Sequence, residues 1–149
     1  MKSLFEKEAY NEIVSRINSL QPNAEGQWGK MKVAQMMAHC SEAYKVPLSD
    51  TGQPRMFMGR IFGPLVKGSM HSDKSWKQNL PTAPNFIIKG ERDFATEKTH
   101  LLSFTERFHK EGPTKAARFP HPFFGKFTTE QWGKLTYKHL DHHLKQFGA

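Results

Sequence analysis

Residues 131–147 of this chain read QWGKLTYKHLDHHLKQF and carry the clearest helical pattern in the sequence. On a wheel of about 100° per residue, four large apolar side chains define one stripe, and they are Trp132, Leu135, Leu140 and Phe147. Thr128 or Thr129, just ahead of this stretch, can cap the helix with its side-chain oxygen. The sequence therefore predicts a long amphipathic helix that ends near Phe147 and packs its stripe against a core.

Two histidines of this helix, His139 and His143, fall near the middle of the apolar stripe and about 40° apart. Their i, i+4 spacing places the two rings one helical turn apart, where they can converge on one ion. Burying two imidazoles in an apolar stripe is costly unless their nitrogens are satisfied. His142 falls about 80–100° from the centre of the stripe, towards solvent. The pair therefore predicts two ligands of a buried divalent metal ion.

A third ligand has to come from another helix, and His39 is the best-placed candidate. It lies within the helical segment 35–44, QMMAHCSEAY, on a flank shared with Met36 and Ala43. A helix in a bundle contacts two neighbours, so this flank can face inwards. Other interpretations stay open here. The i, i+4 pair could be a surface feature or two hydrogen-bonded core residues, and the i, i+3 pair His139 and His142 could also chelate an ion.

Four further segments have helical patterns, and they are residues 3–20, 30–46, 54–67 and 92–111. Ser3 and Glu6 fit a capping box at the start of the first, and Asp93 can cap the last. Trp28, ahead of the second segment, is expected to pack back on it. The third is expected to be a short amphipathic element that covers the core. A membrane-surface role is the weaker alternative, because the segment is short and interrupted.

Glycine and proline divide these segments. The Gly-Pro pairs at 63–64 and 112–113 are expected to kink or end their helices, because proline cannot donate a helical hydrogen bond. Residues 68–90 and 113–127 are predicted to be loops, with a strand-like piece at 86–88. Loops of such length are often lids or walls of a site. Helices without a convincing sheet predict an all-α protein.

Composition narrows the class of protein. The chain has 149 residues, about the size of one domain, and 37% of them are hydrophobic, which argues against disorder. Its one cysteine, Cys40, cannot form an intrachain disulfide and lies in an apolar stripe, so we expect a buried structural thiol and a reducing compartment. No segment has the pattern of a signal peptide or the length of a membrane span. These features predict a cytoplasmic protein without a membrane partner.

The formal net charge is +8, from 22 Lys and Arg against 14 Asp and Glu. These basic residues are spread along the chain, and no recognised nucleic-acid-binding motif accompanies them. We therefore expect no nucleic-acid partner. The sequence leaves a homodimer open.

Five pieces of sequence carry a family resemblance, and they are WGKM at 28–31, QMMAH at 35–39, HPFFG at 121–125, QW at 131–132 and HLDHHLKQF at 139–147. Together they make the chain similar to the DinB/YfiT-like superfamily of metalloenzymes and, within it, to an uncharacterised DinB-related family. The resemblance covers most of the chain and is least distinctive in its middle.

The resemblance implies one domain over residues 1–149, folded as a four-helix bundle with a long connection between its second and third main helices and a short extra helix. It implies a metal ion, zinc, nickel or iron, held by one histidine of the second helix and two of the last. These positions match His39, His139 and His143. In characterised relatives the metal supports thiol-transferase or hydrolase chemistry, so the resemblance implies a small-molecule substrate, with thiols among the candidates.

Two functional interpretations follow from a three-histidine site. A metal-dependent enzyme needs three protein ligands and one open position, whereas a non-catalytic domain would use the ion only to fasten two helices together. His142, His121 and Glu42 are candidates for acid–base work beside the metal. Glu42 lies three residues beyond His39, although a solvated helix face is the better explanation of this carboxylate.

Overall fold

The computed structural model describes all residues from 1 to 149 and contains five α-helices and no β-strand. The helices are α1 (Lys7–Ser19), α2 (Val33–Tyr44), α3 (Phe57–Met70), α4 (Phe94–Lys115) and α5 (Thr129–Gln146), with one 3₁₀ turn at Pro84–Phe86. The predicted all-α class is confirmed. Residues 45–93, between α2 and α4, contain α3 and the 3₁₀ turn. None of the helices is both long enough and apolar enough to cross a membrane.

Helices α1, α2, α4 and α5 pack around one hydrophobic core. α2 lies at its centre, because every residue of this helix except Gln35, Glu42 and Ala43 is buried. The predicted stripes of the first and last helices are confirmed by the burial of their large apolar side chains, among them Ile13, Ile17, Trp132, Leu135, Leu140 and Phe147. Burial of such side chains, each worth about 1.5–3 kcal/mol, is what holds the four helices together.

The α2–α4 contact, the most extensive between two helices, includes polar groups that satisfy one another. The buried hydroxyl of Tyr44 lies 3.0 Å from the hydroxyl of Thr105, which donates to the Leu101 carbonyl at 2.7 Å. Phe108 packs against the Tyr44 ring, with centroids 5.5 Å apart. Burial raises the pKa of Tyr44. Because the two hydroxyls are paired, neither is buried without a hydrogen-bond partner.

The helix caps were predicted with mixed success. Asp93 accepts from the backbone N–H of Thr96, and Thr128 forms a capping box with Gln131, so both of these predictions are confirmed. The capping box expected for Ser3 and Glu6 is wrong, since α1 begins at Lys7 without a side-chain cap. Ser3 is buried against α5, where a Cβ on Gly133 would collide with its hydroxyl. The Ser3 side chain therefore packs against α5 instead of capping α1 as the local pattern had predicted.

The two Gly-Pro pairs do not end their helices. α3 continues through Pro64 to Met70, and α4 continues through Pro113 to Lys115. A proline removes one helical hydrogen bond but keeps a helical φ angle, and beyond Pro113 the bond from Ala116 N–H to the Gly112 carbonyl, 2.9 Å long, completes the last turn.

The strand-like piece expected at 86–88 is also wrong. The chain forms the 3₁₀ turn Pro84–Phe86 there, closed by a 2.9 Å hydrogen bond from Phe86 N–H to the Ala83 carbonyl. No second strand is available to pair with it, because the rest of the chain is helix and loop.

Helix α3 lies outside the core and is attached by its small residues. Gly59 and Gly63 are buried against the backbone of Phe123, where a Cβ on Gly59 would lie 2.6 Å from the Phe123 carbonyl oxygen. The C-terminal end of α3 is tied to α5, because the Lys138 ammonium donates to the carbonyls of Ser69 and Ser72 at 2.7 and 2.9 Å. α3 is therefore held by close backbone contact and by one buried cation.

We predict that Gly63→Ala destabilises the protein by about 1–3 kcal/mol, because the added methyl group meets the Phe123 carbonyl and α3 must move away. Gly68→Ala is the matched control in the same helix, since a Cβ there meets nothing within 4 Å. The control should be neutral or stabilised by up to about 1 kcal/mol through helix propensity. Urea unfolding measures both, and equal stabilities of the two variants would contradict this account of how α3 is attached.

Candidate metal centre

Three histidines from two helices converge in the structure. His39 of α2 meets His139 and His143 of α5, and one ligand nitrogen from each lies within 4.8 Å of the others. The ring centroids are 5.1 Å apart for His39 and His139, and 4.8 Å apart for the other two pairs. The three candidate ligands inferred from the sequence are thus brought together, and they could hold a metal ion.

The outer nitrogens of two of these rings have fixed hydrogen-bond acceptors. His39 Nδ1 lies 2.9 Å from the Phe86 carbonyl, which can only accept, so Nδ1 carries the proton and Nε2 is left with its lone pair. His143 Nδ1 lies 2.9 Å from Gln146 Oε1, and Gln146 Nε2 in turn donates to the Trp28 carbonyl at 2.7 Å. That second bond fixes the amide orientation, so His143 also presents Nε2. Such outer partners are typical of metal-binding histidines.

The inner nitrogens face one another. His39 Nε2 and His139 Nε2 are 3.1 Å apart, close to the separation of about 3.4 Å expected for two nitrogens bound at about 2.1 Å to one tetrahedral zinc ion. Because His39 Nε2 bears a lone pair, one of two partners has to satisfy it. Either His139 Nε2 donates a proton to it, or a cation binds both nitrogens. The donor set therefore fits a divalent metal with three imidazole nitrogens.

Burial keeps all three imidazoles neutral. Loss of solvation lowers the pKa of His39. It also lowers the pKa of His139 well below the usual value, and that of His143 to about 3. Neighbouring histidines lower the pKa of His139 and His143 further, because two imidazolium ions at this distance would repel each other. A neutral imidazole is the form that binds a metal, so at neutral pH all three side chains are in the protonation state that a metal requires.

His142 is neither a fourth ligand nor fully exposed. Its ring is half-buried between two indoles, with centroids 5.5 Å from Trp28 and 5.7 Å from Trp76, and burial lowers its pKa. Trp28 was expected to pack back on the second helix, and the structure places its ring against His142 of α5. The backbone carbonyl of Trp28 binds Gln146, which draws the segment before α2 towards the last helix.

Two other candidates lie away from the three nitrogens. Glu42 forms a 2.5 Å ion pair with Lys45 on the solvated side of α2, which agrees with the simpler of its two sequence interpretations. Cys40 is buried, as expected, and burial raises the pKa of its thiol. A thiol that resists ionisation in this way is a poor nucleophile.

His121 holds a turn together. Its Nδ1 accepts hydrogen bonds from the backbone N–H groups of Phe123 and Phe124 at 3.0 and 3.2 Å, and its ring packs against Phe127 and Trp132. Burial, and then the nearby charge of Arg55, lowers the pKa of His121 to about 4. These contacts account for the side chain as a neutral hydrogen-bond acceptor in the loop between α4 and α5.

An open cleft of about 520 Å³ borders the metal centre. Its walls include Trp28, Trp76, Lys138 and His142. The Trp76 ring also contacts His139, with centroids 5.7 Å apart, and His142 contacts His143 at 5.2 Å. Trp76 and His142 therefore line the cleft and also contact the ligand histidines.

Sequence reasoning missed three contributors to this centre, namely Trp76, the Phe86 carbonyl and Gln146. Gln146 could have been found, since it follows His143 by three residues on the same helix face. Trp76 and Phe86 lie in the 68–90 segment, whose course has no periodic signal. The segment was expected to form a wall of the site, and Trp76 and Phe86 do lie against the candidate ligands His139 and His39.

Comparison with protein families identifies the chain as a member of a family described as a protein of unknown function, DUF1569, whose model matches residues 2–149. The chain belongs to this family over nearly its whole length. Comparisons with curated proteins and with solved structures found no match. The DinB/YfiT-like resemblance, with the bundle topology that it implies, therefore stays a prediction.

We predict that the purified protein, expressed without a chelating tag, contains about one equivalent of a divalent transition metal. His39→Ala, His139→Ala and His143→Ala should each lose it, because two remaining imidazoles rarely form a tight site. His100→Ala is the matched control, since this histidine is exposed on α4 and its closest ionic partner is Glu97 at 3.7 Å. Elemental analysis gives the stoichiometry, and full occupancy in any of the three ligand variants would contradict the assignment.

A second prediction concerns His121 and pH. Its folded-state pKa of about 4 lies below the ordinary value of 6.5, so the unfolded chain binds the proton first as the pH falls. The stabilisation is complete above pH 6.5 and is lost between pH 6.5 and 4, by up to about 3 kcal/mol.

The comparison is made with His121→Asn, whose side-chain oxygen can accept the same backbone hydrogen bonds but does not titrate. Urea unfolding of both proteins in the presence of a chelator, at pH 7 and pH 4, removes the metal from the comparison. The wild type should lose more stability over this interval than the variant. Identical losses would show that the burial of His121 has no effect on the pH dependence of folding.

Proposed function

We propose that this protein is a metal-dependent enzyme of the hydrolase or thiol-transferase type that acts on a small molecule at the three-histidine centre. The observation that carries the proposal is the set of three neutral imidazoles, two of them with their protons directed outwards to fixed acceptors. Three protein ligands leave a coordination position open, as catalytic sites do. The DinB/YfiT-like resemblance supports the same class of chemistry and the bundle topology.

Two helices supply the three candidate ligands, and neighbouring groups orient them. His39 is oriented by the Phe86 carbonyl, and His143 by Gln146, so neither ring can turn its lone pair away without losing a hydrogen bond. The His139 ring packs against the Trp76 ring at a tilt of 43°, with centroids 5.7 Å apart, which covers part of the imidazole. When bound, a metal of the zinc, nickel or iron type would supply a Lewis acid for a carbonyl, a phosphoryl group or a thiol.

We place the substrate in the cleft beside this centre. Trp28 and Trp76 provide flat apolar walls, and the buried Trp76 Nε1–H has no protein acceptor. A donor in that state is available to an oxygen or sulfur atom of a ligand. His142 lies between the two indoles with a pKa lowered by burial, so it is placed to accept or return a proton at the edge of the cleft.

A non-catalytic role is the alternative, and one observation favours it. α2 and α5 are in much less contact than α2 and α4, so an ion bound between His39 and the α5 pair would join two helices that otherwise touch little. In that case the free energy of metal binding would only increase the free energy of unfolding.

Cobalt substitution separates the two roles. We predict that adding a small thiol or azide to the Co²⁺ protein changes its visible absorption spectrum, because an enzyme site has a position that an added ligand can occupy. His143→Ala, loaded in the same way, is the control for nonspecific cobalt. An unchanged spectrum of a fully loaded wild type would favour the structural role, whereas a change would justify screening thiol transfer and hydrolysis.

A further inference from the structure

Helix α3 presents its apolar side chains to solvent. Six of them are exposed at positions that repeat as i, i+1, i+4 and i+5, and they are Phe57, Met58, Ile61, Phe62, Leu65 and Val66. This spacing places all six on one half of the helix surface. Phe57 is 73% exposed and Leu65 is 79% exposed, so neither packs against the rest of the chain. We call these six side chains the α3 apolar face.

The fold uses the opposite side of the same helix. Gly59 and Gly63 contact the Phe123 backbone, and α3 has no extensive contact with any other helix. The apolar face was expected to cover the core, and in the structure it does not. Pro64 leaves the helix unbroken, so the face extends over nearly three turns without interruption.

Its size is at the upper end of what a monomer ordinarily exposes. Six side chains of this kind, exposed to these fractions, present on the order of 600 Å² of apolar surface, at the upper end of the 300–600 Å² found for the largest patch on a typical monomer. A stable interface needs about 800 Å² from each partner. The α3 apolar face alone supplies about three-quarters of that area.

We propose that the α3 apolar face binds the same face of a second copy of this chain, which makes the protein a homodimer. Charge supports this occupant. The face has no charged side chain, and the whole helix lacks Asp and Glu, so the surface has no charge of its own to repel an identical surface. Depletion of charge with enrichment of Phe and Met is the composition of an interface core. A two-fold axis lets one face meet itself.

The two basic residues of the helix argue against a lipid surface. The Lys67 ammonium donates to the Lys126 carbonyl and lies 5.1 Å from the Phe127 ring centroid, so it is turned towards the body of the protein. That leaves Arg60 as the only free cation on α3. Helices that lie in a membrane interface carry a strongly charged face rich in Lys and Arg, whereas the side of α3 opposite its apolar residues is occupied by glycine and backbone contacts.

The oligomeric state tests the proposal. Full-length protein, with and without its metal, is examined by light scattering and sedimentation velocity as its concentration is raised, and the wild type is expected to be a dimer. Leu65→Asp should abolish the dimer, because it places a charge in the middle of the face. Ser103→Asp, on the exposed side of α4, adds the same charge elsewhere and should leave the dimer intact. Circular dichroism verifies that both variants remain helical.

A cysteine variant locates the contact. Cys40 is buried, so Ile61→Cys provides the one accessible thiol and should form a disulfide-linked dimer on mild oxidation. Ser103→Cys is its control and should link more slowly. Equal rates for the two cysteines would overturn the proposal, as would a dimer that persists in Leu65→Asp.

A monomeric wild type would overturn it as well. Flotation with vesicles of neutral lipid, and of neutral lipid mixed with anionic lipid, then identifies the other occupant. Binding of the monomer to either kind of vesicle, lost in Leu65→Asp, would assign the face to a membrane surface instead. These measurements do not depend on the metal, so their failure leaves the proposed function untouched, and the reverse also holds.

Discussion

Three imidazoles meet between α2 and α5, two of them buried and the third, His139, partly buried, and they set the requirements that the surrounding structure has to meet. A neutral imidazole has one donor and one acceptor nitrogen, and each costs free energy if it is buried without a partner. His39 uses the Phe86 carbonyl and His143 uses Gln146. The 3₁₀ turn at Pro84–Phe86 therefore has a defined place, because its last residue must present a carbonyl to α2. The remaining lone pairs face inwards, where a shared cation is the partner that serves all three.

Gln146 links this centre to the start of the second helix. Its amide connects His143 to the Trp28 carbonyl, and its own backbone carbonyl accepts from Gln27 N–H at 2.8 Å. These bonds hold the 27–28 segment against the end of α5, which places the Trp28 ring beside His142 and makes one wall of the cleft. At the other side, Lys138 precedes His139 and binds the end of α3. One helix thus positions two ligands, the cleft and the attachment of α3.

The sequence predicts the parts of this arrangement that depend on helical periodicity. The His139 and His143 pair follows from i, i+4 spacing on an apolar stripe, and the cap at Thr128 from local hydrogen bonding. Pairing these residues with His39 rested on a flank argument, and the structure confirms that the three meet. What periodicity cannot supply is the course of a loop, so Trp76 and the Phe86 carbonyl were not found. Ser3 was misassigned for a related reason, because its partner, Gly133, is distant in sequence.

Pro64 lies within α3, and the helix continues past it. Gly63-Pro64 was expected to kink or end this helix, and a helix ended at Gly63 would carry only four residues of the apolar face. Because the helix continues past Pro64, Leu65 and Val66 extend that face by another turn, while Ser69 lies near enough to bind Lys138. The same continuity therefore creates an exposed apolar surface and brings the end of α3 within hydrogen-bonding distance of Lys138, the residue that precedes His139.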